Sequence, residues 1–81
     1  MTLTLVHDTY EIVEKYLKYT NDVSLNQGFL EEAQNHGMYC LPTSVQEKIA
    51  TMLGAEHISD LTSDHKKEIQ RAIIDVIQSK Y

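Results

Sequence analysis

Apolar positions recur at helical spacing in four stretches of the chain. In residues 7–22, HDTYEIVEKYLKYTND, the side chains of Ile12, Val13, Tyr16, Leu17 and Thr20 share one helix face. Asp8, with Glu11 three residues on, has the form of a capping box. Glu11–Lys15 and Glu14–Lys18 are i,i+4 pairs in the favourable order. In residues 24–37, SLNQGFLEEAQNHG, Ser24 and Gln27 give a second cap signal, and Leu25, Phe29, Leu30 and Ala33 form the stripe. Gly28 inside that stripe costs about 1 kcal/mol against alanine. Gly37 suits the left-handed position after the last turn. In residues 43–54, TSVQEKIATMLG, Val45, Ile49, Met52 and Leu53 share a face, Thr43 or Ser44 can cap, and Gly54 closes. Residues 62–81 carry the strongest pattern. Thr62 or Ser63 caps, and Ile69, Ala72, Ile73, Val76 and Ile77 line one side. Ile74 lies about 100° from Ile73, toward Ile77 and Tyr81.

Two short pieces do not fit a helix. TLTLV, residues 2–6, alternates polar and apolar with β-branched side chains, as a strand does. MYCL, residues 38–41, is an apolar run before the proline. The pattern therefore predicts an all-α fold, a small bundle of about four short helices, with room for a minor two-stranded β-ribbon between 2–6 and 38–41. Short connections favour antiparallel neighbours. No repeat or linker divides residues 1–81, which read as one domain.

Composition narrows the classes of function. With 81 residues, the domain hides about 60–65% of its unfolded surface and has little room for a deep pocket beside its core. The net charge of −5 opposes a phosphate backbone, so nucleic acid is not the expected partner. No stretch approaches the about 20 apolar residues that cross a bilayer. MTLTLVHD has no basic n-region and does not read as a signal peptide. One cysteine permits no internal disulfide, which fits a reducing compartment, and cytoplasm is the expected location.

Candidate chemistry is sparse. His36 and Cys40 resemble a base beside a thiol, but Gly37 and Pro42 break helical spacing and no oxyanion-hole motif accompanies them. The expected role is a hinge in which Met38, Tyr39 and Leu41 turn inward and Cys40 packs as a small hydrophobe. His7, His36, His57 and His65 lack the close pairing of a zinc site, so neither metal nor cofactor is expected. VQEKIATMLGAEHISDL echoes the first half of a helix-turn-helix, with Ala50 and a glycine four residues on. Its second half departs: Asp60 stands where an apolar residue should pack back, and Glu56, His57, Ser59 and Asp60 would face DNA. Lys66, Lys67, Arg71 and Lys80 gather on the last helix. Asp64–Lys67, Glu68–Arg71 and Arg71–Asp75 pairs would make that surface a solvated mixed-charge face. Tyrosine suits surfaces where the ring is covered and the hydroxyl stays wet.

These features predict a small cytosolic protein-interaction module: a regulator, inhibitor or adaptor, not an enzyme. It would bind a protein partner or a second copy of itself through helical faces. Tyr10, Tyr19, Ile74, Ile77 and Tyr81 are the expected interaction residues, with a patch of Ile74, Ile77 and Tyr81 as the dimer contact. No catalytic, cofactor-binding or metal residue is assigned, and no small-molecule substrate is evident. The alternatives are a nucleic-acid-binding transcriptional regulator with a degenerate helix-turn-helix, and an enzyme subunit using Cys40.

Overall fold

The structure, a computed structural model, describes residues 2–80. It contains four α-helices: α1 (Val6–Tyr19), α2 (Leu30–His36), α3 (Thr43–Met52) and α4 (Ser63–Lys80). Single 3₁₀ turns stand at Gln27–Phe29, Gly37–Cys40 and Ile58–Asp60. Among the described residues there is no strand.

The main seam joins α1 to α4, and α2 with the Gly37–Cys40 turn packs on α4. All five stripe residues of α4 are buried, with Val13 and Leu17 of α1, Ala33 of α2, and Val45 and Ile49 of α3. This is the expected i, i+3, i+4 geometry of helices that share one core. Met38 and Leu41 enter the same core from the connector, as expected. Tyr39 does not: its side chain is 57% exposed, because a tight 3₁₀ turn sends consecutive side chains in different directions.

Helix starts differ from the local signals. Helix α1 begins at Val6, ahead of Asp8, and Leu5 at its cap makes no side-chain bond. The Asp8–Glu11 box is not used as the start. Instead the buried Thr9 hydroxyl donates to Leu5 O at 3.1 Å, which fixes the first turn from inside. Helix α2 is shorter than its stripe suggests. Asn26, not Ser24, is the cap of the preceding turn, its Oδ1 accepting from Gly28 N at 2.8 Å. Gly28 therefore lies ahead of α2 and does not interrupt it. Helix α3 starts after Pro42, and neither Thr43 nor Ser44 caps it. In α4 the expected cap holds: Thr62 Oγ1 accepts from His65 N at 3.2 Å.

The β-ribbon is absent, and the reason is that residues 2–5 have a different neighbour. Thr4 N donates to Leu53 O at 2.9 Å, so this segment lies against the end of α3 and not against residues 38–41. Gly54 (φ +87°) makes the approach possible, since a Cβ there would come within 2.5 Å of Thr2 O. The buried His65 secures the other side. Its Nε2 lies 2.6 Å from Thr4 O, so it is the ring nitrogen that carries the hydrogen; Nδ1 then accepts from the Thr62 hydroxyl at 2.6 Å. Among the described residues no buried polar side-chain atom lacks a partner.

Candidate interaction face

The apolar arc of α1 is wider than its contact with α4 requires. Val13 and Leu17 point into the core and are buried. Ile12, Tyr16 and Tyr19, at i, i+4 and i+7, form a second stripe beside them. Met52, from the last turn of α3, meets this stripe, and the joint surface is lined by Ile12, Lys15, Tyr16, Tyr19, Thr20 and Met52. Tyr19 is 78% exposed and Met52 36%, while Ile12 and Tyr16 are half-buried at its floor.

One rim of the face is fixed by a hydrogen-bonded cluster. Asp22 Oδ2 accepts from Tyr16 Oη at 3.0 Å and from Lys48 Nζ at 2.7 Å, and Asp22 N donates to Thr20 Oγ1. Lys48, then the Tyr16 hydroxyl, holds the Asp22 carboxyl below the usual carboxylate range, and Asp22 raises the Lys48 ammonium in return. The cluster uses the phenol of Tyr16 and leaves its ring edge on the apolar face. Lys15 lines the same face, and the expected Glu11–Lys15 pair is not formed; among the described residues Lys15 has no carboxylate partner. The expected Glu14–Lys18 pair does form, at 3.5 Å.

Of the five expected interaction residues, the four that are described do not share one face. Tyr19 is on the face. Tyr10 is half-buried against α4: its hydroxyl donates to Asp75 Oδ2 at 2.5 Å and the Arg71 guanidinium lies 4.4 Å from its ring centroid. That hydrogen bond, with the neighbouring Glu14 carboxylate acting in the same direction, pushes the Tyr10 phenol above its usual range. Ile77 is fully buried in the core, and Ile74 is half-buried against it. Ile77 is therefore not available at the surface, and Ile74 is only partly so. Tyr81 lies outside the described residues. Ile12 and Tyr16, assigned to a core stripe from spacing, pack against the core and form the floor of this face, whereas Met52, assigned likewise, is exposed on it. The signal that could have found it was the adjacency of Ile12 with Val13 and of Tyr16 with Leu17, too wide an arc for one helix partner.

No protein-family model, curated protein or solved structure matches the chain. The remaining candidates are therefore judged on geometry. His36 is exposed and its Nε2 sits 3.6 Å from Glu32; no hydrogen bond joins it to Cys40. Cys40 is half-buried, and burial pushes its thiol up, away from the reactive thiolate, with the Glu32 charge acting in the same direction. Among the described residues no three His, Cys, Asp or Glu side chains gather as a metal site. Where a helix-turn-helix would place its reading helix, the chain makes one 3₁₀ turn, Ile58–Asp60, closed by His57 N donating to Asp60 Oδ2 at 3.1 Å. No described helix is long and apolar enough to cross a membrane.

Proposed function

We propose that the protein is a small interaction module, acting as a regulator, inhibitor or adaptor, whose α1 face binds a protein partner. The observation that carries this is the apolar face on which Tyr19 and Met52 stand exposed over the half-buried Ile12 and Tyr16. Large aromatic and sulfur-containing side chains gathered on one exposed face are what a partner's apolar segment can cover. The face also favours a different chain over a second copy. Its charged lining residue is a cation, Lys15, on a chain of net charge −5. A two-fold contact through the stripe would bring two such lysines toward each other. A partner segment that presents apolar side chains flanked by carboxylates would meet both parts of the face.

A photo-crosslinking amino acid at position 19, in cells that express the protein, tests the proposal. The expected result is a discrete adduct with another protein, lost in Met52→Glu while the helical circular dichroism is kept. An adduct of twice the chain's mass would make the homodimer the occupant. No discrete adduct at position 19, or one equally strong from the exposed Glu31 of α2, overturns the assignment.

A further inference from the structure

A second surface shares no lining residue with the α1 face. Where α2 ends, the Gly37–Cys40 turn and the first turns of α4 form a cleft of about 300 Å³, with Asn35, His36, Tyr39, Ser63, Lys66 and Lys67 on its walls. No carboxylate lines it. The depressions around Gly54–Asp60, by contrast, are lined by Glu47, Glu56 and Asp60.

The carboxylates of α4 do not compensate the cations of the cleft. Glu68 binds Arg71 at 3.2 Å, and Asp75 accepts from Tyr10. The Asp64–Lys67 pair is not formed, and among the described residues neither Lys66 nor Lys67 has a carboxylate partner. Lys66 Nζ rests 5.7 Å from the centroid of the Tyr39 ring, which favours its charge but leaves its hydrogens without an ionic acceptor. The walls are tied together. Gln70 Nε2 of α4 donates to Ala33 O at 2.8 Å and to Gln34 O at 3.1 Å at the end of α2. Glu32 reaches only His36, from outside the lining.

We infer that this cleft binds a small phosphate-bearing anion, with Lys66 and Lys67 supplying charge and Ser63 and Asn35 supplying neutral hydrogen bonds. Two ammonium groups act as point charges with freely turning donors, which suits a multi-oxygen anion. A planar carboxylate is better matched by a guanidinium fork, and Arg71 is committed to Glu68 and Tyr10. The volume is at the lower end for small-molecule sites, about 300–1,000 Å³, and the net charge of the chain opposes a polynucleotide.

Amide NMR titrations with inorganic phosphate, inorganic diphosphate and ribose 5-phosphate, against sodium chloride and acetate at equal ionic strength, provide the test. Saturable shifts are expected at Asn35–Tyr39 and Ser63–Lys67, and the tightest of the three probes tells free phosphate from a sugar phosphate. Lys67→Gln, at an exposed position, should weaken binding about tenfold, as expected for one lost charge-assisted hydrogen bond. Lys66→Gln should act in the same direction, and Lys15→Gln should leave binding unchanged. Linear shifts that never saturate, an equal response to chloride or acetate, or an affinity unmoved by Lys67→Gln overturns the assignment. An equal loss in Lys15→Gln overturns it too.

Discussion

The two sides of α1 use similar residues to opposite ends. On the α4 side, Val13 and Leu17 are buried, and Tyr10 is held by Asp75 and Arg71. On the other side, Ile12, Tyr16 and Tyr19 repeat the same spacing, but Tyr19 has no partner across from it and stands 78% exposed. Tyr10 and Tyr19 are the same amino acid on one helix. What separates them is whether a neighbouring helix supplies an acceptor for the hydroxyl and a surface for the ring. The difference teaches that the amphipathic pattern tells which positions are apolar, while the arrangement of neighbours decides which of them become core and which become a surface for something else.

Four substitutions or conditions press on that contrast. Leu17→Ala should have the largest effect, about 2–5 kcal/mol of lost stability, because it opens a cavity in the α1–α4 seam; urea unfolding measures it. Tyr10→Phe comes next. It removes the hydrogen bond to Asp75 and should cost about 1 kcal/mol at neutral pH. Because the folded-state phenol of Tyr10 is raised, its contribution is full below the unfolded tyrosine value of about 10 and falls as pH rises toward the folded value. Alkaline stability curves of wild type and Tyr10→Phe should therefore converge above about pH 10. A smaller effect is expected on the other side. The Asp22 carboxyl is lowered in the fold, so what it adds is present above the unfolded aspartate value of about 3.9 and is lost as pH falls through the folded value. Asp22→Asn should flatten the acid limb of a pH–melting curve slightly, the group being exposed to solvent. Tyr19→Ala should change stability by less than about 0.5 kcal/mol while abolishing partner capture. A large loss of stability in Tyr19→Ala, with capture intact, would erase the distinction between the two sides.

The core stripe and the cap of helix α4 were legible in the sequence: the stripe is buried as a unit and Thr62 caps it. Helix existence was legible elsewhere, but helix starts were not. Asp8 with Glu11 offers a good local cap, yet the cap of α1 is Leu5, three residues earlier, and Thr9 finds its acceptor there. Residues 2–5 alternate like a strand, but the segment is held through Thr4 by Leu53 and His65, far off in sequence. The α1 face was half legible. Tyr19 could be picked out by type, whereas Ile12, Tyr16 and Met52 needed the position of α3 to separate them from core. The cationic cleft was hidden because i,i+3 spacing predicted Asp64 as the counter-ion of Lys67, and that pair is not formed. The same rule treats each helix alone, so the expected Arg71–Asp75 pair gives way to Tyr10, from another helix, which takes Asp75.

The bare Cα of Gly54 makes one position answerable for a contact between segments distant in sequence. Thr2 passes where a side chain would stand, Thr4 bonds to Leu53, and His65 closes over Thr4 from α4. A methyl group at 54 and an imidazole removed from 65 would therefore injure the same contact. Once either change had displaced residues 2–5, the other would have little left to disturb. Gly54→Ala and His65→Ala, 11 residues apart in the chain, are thus thermodynamically one lesion, and their joint cost would fall well short of the sum of their separate costs.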